Sequence, residues 1–156
     1  MKYSWLINYL SGGMKNVSQN GKTKKHMSLD LETIVIERFI VKTKRDRYLT
    51  FIKSDKTRYK FTLSLAHFRD LRQERFDEVK SDERKIIKDR IKSLGSINDC
   101  YLISENSKLD GKRLGIDTAL NNTIGNGMGT LIVFGNAEVV FYEGEGPSNR
   151  WISKPI

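Results

Sequence analysis

The most regular pattern of apolar and polar positions lies between residues 57 and 65. Its apolar members occupy every second position and are Tyr59, Phe61, Leu63 and Leu65. The residues between them are polar or basic. Because successive side chains of a β-strand point to opposite faces, this alternation predicts a strand with one face on the core and one basic face in water.

The preceding residues extend this strand into a three-stranded β-meander over residues 31–65, with strands at 32–43, 48–53 and 57–65. Apolar residues occur on both faces of the first strand, which indicates a central strand or a bulge near Glu37. Short charged turns separate the strands. The Asp and Ser side chains of the second turn suit it because they hydrogen-bond the nearby backbone.

Helical spacing replaces the alternation after residue 65. An imperfect apolar stripe predicts a helix from about residue 65 to 79 that covers the meander. Ser81 is the expected N-cap of a second helix, which ends near Leu94 and is followed by Gly95, a residue free to adopt positive φ. The pattern leaves open whether this is one kinked helix or two. The stripe residues of the first helix are Phe68, Leu71, Phe76 and Val79.

The last third of the chain mixes strands with one helix. The helix spans 117–124 with Asp117 as its cap, and the strands span 99–104, 130–134, 137–143 and 150–153, the last at a sheet edge. Gly135 and Asn136 form a two-residue hairpin turn. The whole pattern predicts a single-domain α+β fold with a mainly antiparallel sheet in two strand groups: the meander, a helix or helix pair, then β-α-β-β-β.

The first 28 residues are set apart from the predicted domain at 29–156. Residues 1–10 form a short apolar segment that is too short to be stable alone and must dock on its own domain, a second copy or a partner. The segment resembles a signal peptide only superficially, since Asn8 interrupts it and no clear cleavage site follows. Residues 11–28 are rich in glycine and small polar residues and predict a flexible basic arm carrying Lys22, Lys24 and Lys25.

Charge is distributed unevenly along the chain, which carries a net charge of +9 over 156 residues. Residues 1–64 account for +9, residues 65–94 for +2 and residues 95–156 for −2. Such asymmetry indicates an anionic partner that docks on the first half. No apolar run is long enough to span a bilayer, and the single cysteine, Cys100, has the apolar neighbours of a buried thiol, so a cytoplasmic location is expected.

The basic face of the meander and the lysine arm form the candidate binding surface. We predict a small non-catalytic protein that binds nucleic acid, or another polyanion, mainly through phosphate contacts. Phe39, Tyr48 or Phe51 could stack on bases if exposed, whereas the alternation directs Tyr59 and Phe61 inward. The predicted surface consists of Arg38, Lys42, Lys44, Arg45, Arg47, Lys53, Lys56, Arg58 and Lys60, joined by Lys22, Lys24 and Lys25.

Two other function classes remain open. The first is an inhibitor or immunity-type module that docks on an acidic protein partner, with Trp5 and Tyr9 as apolar anchors. The second is a phosphodiester-cleaving, ribonuclease-like enzyme in which His67 and Glu74 share one face of the predicted helix. That face also holds Leu71, which turns it toward the core and disfavours catalysis. The sequence leaves the oligomeric state open.

Three other motifs give weaker indications of a functional site. His26 and Ser28 match half of a two-histidine phosphoesterase pattern, but the second half is missing around His67. The glycines between residues 125 and 129 follow a helix and precede a strand, so they predict a helix C-terminal turn with positive φ rather than a phosphate-binding loop. Glu143 and Glu145 lack a nearby third ligand, and no metal or cofactor is predicted.

Overall fold

The computed structural model describes residues 19–67, 69–95, 97–147 and 149–155, with residues 19–27 described by their backbone alone. A six-stranded sheet lies between two layers of helices. The first helical layer contains α1 (Gln19–Phe39), α2 (Arg45–Ile52) and α3 (Asp55–Leu63). The second contains α4 (Arg84–Ser93) and α5 (Ile116–Thr123). The α+β class predicted from the sequence is confirmed.

All neighbouring strands of the sheet are antiparallel, in the order β1-β6-β5-β4-β2-β3. The strands are β1 (Phe76–Glu78), β2 (Asp99–Ser104), β3 (Arg113–Gly115), β4 (Thr130–Phe134), β5 (Val139–Glu143) and β6 (Arg150–Ser153). The predicted strands at 99–104 and 130–134 are therefore confirmed. The strand at 150–153 is also present, but it lies between β5 and β1, so its predicted position at an edge is wrong.

The apolar run of β4 has a simple cause in this architecture. Leu131 and Val133 pack against the first helical layer, whereas Ile132 and Phe134 pack against the second. A strand covered on both faces requires apolar residues at every position, in contrast to a strand with one face in water. The predicted central position of this strand is correct.

The predicted β-meander over residues 31–65 is wrong, because this region is helical. On α1 the buried residues recur at intervals of four, as in Leu31, Val35 and Phe39, which is the spacing of one helix face. On α3 the buried Phe61 and Thr62 face the sheet, whereas Tyr59 and Leu63 are each 54% exposed. The alternation in the sequence thus arose from apolar residues on two opposite faces of one helix.

The predicted helix at 65–79 is also wrong. Ser64–Ala66 and Gln73–Arg75 form single 3-10 turns, and Phe76–Glu78 forms the edge strand β1. The apolar residues that suggested a stripe instead serve different contacts: Leu71 forms an isolated bridge with Ile40, and Phe76 packs its ring 5.4 Å from that of Phe39. Phe68 lies outside the described residues.

The second predicted helix and the later one are confirmed as α4 and α5. Details of their ends differ from prediction. Gly95 follows α4 without a positive φ, and the N-cap of α5 is Gly115 rather than Asp117, which lies in the first turn. The turn after α5 was predicted correctly: Gly125 and Gly127 have φ values of 84° and 64°.

The predicted division at residue 28 concerns residues that are largely outside those described. Helix α1 begins at Gln19, within the predicted arm, and residues 1–18 lie outside the described part of the chain. Within the described ranges, no helix combines the length and the apolar character that crossing a membrane requires.

Candidate functional site

The basic residues predicted to lie on a sheet lie instead on a helical hairpin. We define this hairpin as residues 42–63, comprising the 3-10 turn Lys42–Lys44 and helices α2 and α3. Only Lys53 and Ser54 separate the two helices. Ser54 has an extended backbone, and its Oγ accepts a hydrogen bond of 3.3 Å from the amide of Lys56, so it is the N-cap that starts α3.

The inner face of the hairpin is fixed by aromatic packing. Tyr48 on α2 and Phe61 on α3 are buried, with ring centroids 5.2 Å apart and nearly perpendicular. The Tyr48 hydroxyl donates a hydrogen bond of 2.5 Å to the carboxylate of Asp70. Burial, together with this carboxylate, raises the pKa of Tyr48 to about 12, so the phenol stays protonated in neutral solution. These contacts fix the two helices of the hairpin relative to each other, and with them the residues of its outer face.

Seven of the nine predicted sheet-face cations belong to the outer and lateral surface of the hairpin. Against them the hairpin carries two acidic residues, Asp46 and Asp55. Within the described ranges, no carboxylate lies within 4.0 Å of any of the seven charged groups. The seven residues are Lys42, Lys44, Arg45, Arg47, Lys53, Lys56 and Lys60.

Several cations on the second helical layer, in contrast, form ion pairs with carboxylates of the protein. Lys85 pairs with Asp89 at 2.8 Å, and Lys88 pairs with Asp117 at 2.5 Å. Arg90 also has a carboxylate partner at 3.4 Å on β1. Three cations of α4 therefore have carboxylate partners, whereas the seven cations of the hairpin have none among the described residues.

Two of the hairpin cations converge on one aromatic ring. The guanidinium carbon of Arg47 lies 5.3 Å from the ring centroid of Phe51, and the ammonium of Lys60 lies 5.8 Å from it. Both distances are within the range of a cation–π contact. Phe51 thus contacts one cation from each helix of the hairpin.

The exposure of the aromatic residues differs from the prediction. Phe39 and Tyr48 are 1% and 2% exposed, so neither ring is accessible for stacking. Tyr59 was predicted to point inward, but its side chain is exposed on α3 because the segment is a helix. Phe61 was predicted to be buried and is buried. The accessible aromatic surface of the hairpin is therefore that of Tyr59, with the partly buried Phe51.

The remaining predicted residues have other surroundings. Arg38 lies at the end of α1, where its Nη1 donates hydrogen bonds to the carbonyls of Asn136 and Ala137 at 3.0 and 3.1 Å. The positions of Lys22, Lys24 and Lys25 are within α1, but their side chains lie outside the described residues. Arg58 faces inward, away from the outer surface.

Arg58 is the centre of a half-enclosed cleft between the first helical layer and β2. Its guanidinium binds the carboxylate of Glu32 with a shortest distance of 2.6 Å, and its Nη1 also contacts Asp110. The Tyr101 hydroxyl donates a second hydrogen bond to Glu32 at 2.5 Å. The cleft has a volume of about 850 Å³ and includes Lys53 and Arg113 in its wall.

The polar groups of this cleft satisfy one another. Burial lowers the pKa of Arg58, but its hydrogen bonds with Glu32 and the charge of that carboxylate outweigh burial, so the pKa lies above its ordinary value. Burial and the adjacent Glu32 raise the pKa of Tyr101. Sequence reasoning missed this group because its members are 26 to 69 residues apart and share no motif. The arrangement joins α1, α3 and β2.

The residues proposed for catalysis do not share a helix. His67 follows the Ser64–Ala66 turn, and its Nδ1 lies 3.9 Å from the carboxylate of Glu145. Glu74 lies in a different 3-10 turn and pairs with Arg72 at 2.7 Å, an ion pair that lowers the pKa of Glu74. The common helical face on which the ribonuclease-like reading depended is absent. Among the described residues, no group of three His, Cys, Asp or Glu side chains could hold a metal ion.

Comparisons with protein-family models, with curated proteins and with solved structures found no match to this chain.

Proposed function

We propose that this protein is a small, non-catalytic binding protein of the cytoplasm whose helical hairpin docks on nucleic acid. The surface differs from the one expected from sequence, because a pair of helices replaces the sheet. The residues are largely the same. The lysine-bearing first turns of α1 supply further positive charge to the same half of the chain.

The observation that carries the proposal is the unneutralised charge of the hairpin. Seven cations within these 22 residues have no carboxylate partner among the described residues, and within that part of the chain Arg45 alone of them donates a side-chain hydrogen bond, to the carbonyl of Ile40. Mutual repulsion between like charges costs folding free energy, and an anionic ligand relieves it. A polyphosphate backbone suits the surface because its charges are regularly spaced and each contact releases condensed counterions.

The hairpin also suits this partner mechanically. Its two helices are held by the Tyr48–Phe61 contact and by the buried Ile52, so the cations rest on a preformed surface. Preorganisation lowers the entropy lost on binding. Arg47 and Lys60 are additionally oriented by Phe51. The positive groups need little rearrangement to meet a row of phosphates.

The test is a titration of labelled RNA and DNA, single- and double-stranded, over a series of salt concentrations. Binding should weaken linearly in a double-logarithmic plot, with a slope of about −0.7 to −0.9 for each phosphate contacted. A triple variant, Lys42→Glu, Lys53→Glu and Lys56→Glu, should abolish measurable binding and flatten this slope. All three side chains are exposed and make no polar contact with the described residues.

The matched control carries the same change of charge elsewhere. Lys80→Glu, Lys92→Glu and Lys108→Glu replace three exposed lysines outside the hairpin. This control should retain most of the affinity if position matters more than net charge. An equal loss of affinity in both triple variants would show that binding depends on total charge rather than on the position of the cations. No binding of the wild type at low salt, together with capture of an acidic protein, would instead favour the protein-binding class.

A further inference from the structure

Tyr59 is an exposed aromatic residue on the hairpin. It is 54% exposed, and within the described ranges its side chain makes no hydrogen bond, ring contact or cation–π contact. The other described tyrosines, Tyr48, Tyr101 and Tyr142, are buried, and their hydroxyls donate hydrogen bonds to Asp70, Glu32 and the carbonyl of Leu65. Tyr59 therefore makes no comparable structural contact with the part of the chain that the structure describes.

The surroundings of Tyr59 combine charge and apolar surface. Lys56 precedes it by three residues and Leu63 follows it by four, so the three side chains share one face of α3. Leu63 is as exposed as Tyr59, at 54%. Lys60, adjacent in sequence, is the cation that lies over Phe51. The face thus combines an accessible aromatic ring, one lysine and an aliphatic side chain, while Lys60 is directed to Phe51.

We propose that this face binds single-stranded nucleic acid, with an unpaired base stacked on the Tyr59 ring and a flanking phosphate contacted by Lys56. The inference rests on the proposed function and names its substrate class. Paired bases of a duplex are stacked on each other, so their faces are closed to a protein side chain. An aromatic ring bordered by cations is the arrangement that single-strand-binding proteins use, because every base has a π-face.

The shape of the site favours a short contact over an extended groove. Helix α3 has nine residues and presents one exposed ring, with Leu63 beside it. We expect one base to stack on the ring and a neighbouring base or sugar to contact Leu63. Recognition of this kind is tolerant of sequence, since stacking depends on the π-face rather than on the hydrogen-bonding edge.

The experiment compares two DNA strands of equal length and equal phosphate number, one with bases and one with abasic residues throughout its central part. Fluorescence anisotropy at constant salt measures the affinity of the full-length protein for each. The wild type should bind the strand with bases about 5- to 100-fold more tightly, the range that one base–aromatic stacking contact gives. Duplex DNA of the same sequence should bind more weakly than the single strand.

Substitutions separate stacking from charge. Tyr59→Ala should remove the preference for bases while leaving binding to the abasic strand unchanged, and Tyr59→Phe should keep the preference because the ring remains. Ile86→Ala is the matched control, since Ile86 is an exposed apolar residue at 48% on the opposite helical layer. It should alter neither affinity. Circular dichroism of each variant verifies that the fold is intact.

Failure of this inference is distinguishable from failure of the proposed function. Equal affinity of the wild type for both strands, with the Lys42, Lys53 and Lys56 variant still defective, would overturn base stacking and leave polyanion binding standing. Tighter binding to duplex DNA than to the single strand would also overturn base stacking on Tyr59. Absence of binding to either strand would overturn the proposed function as well.

Discussion

The hydroxyl of Tyr101 on β2 donates a 2.5 Å hydrogen bond to the carboxylate of Glu32 on α1, 69 residues earlier in the chain. Glu32 is 3% exposed, and the same carboxylate receives the guanidinium of Arg58 from α3. One buried anion therefore holds two helices and the sheet together. The cation that pairs with it, Arg58, lies 26 residues away in sequence and also contacts Asp110.

Removal of Arg58 should be costly because it leaves Glu32 as an uncompensated buried charge. We expect Arg58→Met to lower the free energy of unfolding by about 3 kcal/mol, as is typical when one member of a buried ion pair is deleted. In the double variant with Glu32→Gln the loss should be smaller than the sum of the two single losses, by about 1 kcal/mol or more. Urea unfolding measures all three variants, and strictly additive losses would contradict the coupling.

Gly129 lies against the turn that follows α3, where no side chain fits. A Cβ atom there would lie 2.3 Å from the carbonyl carbon of Leu65 and 2.5 Å from the amide nitrogen of Ala66. Both are backbone atoms, so Gly129→Ala should destabilise the protein by about 2 kcal/mol or more. Gly115→Ala is the control, since a Cβ there meets nothing within 4 Å. Its effect on the thermal midpoint should be small, and equal shifts for both variants would contradict the steric argument.

The thiol of Cys100 should be unreactive in the folded protein. Burial raises its pKa to about 12, and its Sγ lies 3.3 Å from the carbonyl oxygen of Leu114. The thiolate that attacks a disulfide reagent is therefore scarce at neutral pH, besides being inaccessible. Because the chain has a single cysteine, the labelling rate reports one site. We expect labelling to be slow in native conditions and to accelerate with denaturant in parallel with unfolding. Rapid labelling of the folded protein would contradict this expectation.

Alkaline pH should unfold the protein through its buried phenols. The pKa of Tyr48 is raised to about 12 by burial and by Asp70, and burial also raises those of Tyr101 and Tyr142. A folded-state pKa above the unfolded value of about 10 means that the stabilisation is fully present below pH 10 and is lost as the pH rises toward 12. Tyrosinate absorbance and circular dichroism should change together in that interval.

The Tyr48→Phe variant tests the contribution of one phenol to this pH dependence. Its overall stability should fall, since the hydrogen bond to Asp70 is lost, but its stability should decline less steeply between about pH 10 and pH 12. Reversible ionisation of all buried tyrosines with the fold intact would contradict the assignment.

The second half of the fold was predictable because its signals are local and mutually consistent. The unbroken apolar run at 130–134 and the turn at Gly135 indicate a central strand and a hairpin without reference to the rest of the chain. The first half was not, because Tyr59 and Leu63 place apolar side chains on the exposed face of α3. These residues turn a helical pattern into an apparent alternation of period two. Under the proposed function these two residues contact a partner rather than the core, which explains why a pattern based on core burial predicted a strand here instead of a helix.

The density of cations in the sequence predicted the candidate site as a group, but their arrangement on a pair of helices differs from the predicted sheet. Arg58 was indistinguishable in sequence from Lys56 or Lys60, although the structure turns it inward to Glu32. Arg58 packs beside Tyr101 on β2 and contacts Asp110 in the loop that follows this strand. Charge counting detects a basic region, whereas only the packing of helix on sheet decides which cations remain accessible.

The position of β6 between β1 and β5 imposes an order on assembly during synthesis. Strand β1 emerges from the ribosome more than 70 residues before its neighbour, whose register pairs Phe76 with Ser153. Until residues 150–153 appear, the backbone edges of β1 and β5 both lack this partner, and the buried carboxylate of Glu143 lacks Arg150, its 3.0 Å partner. Strand β6 lies one position from the β1 edge of the sheet, so we expect β1 to remain unpaired with the rest of the sheet until residues 150–153 have been synthesised.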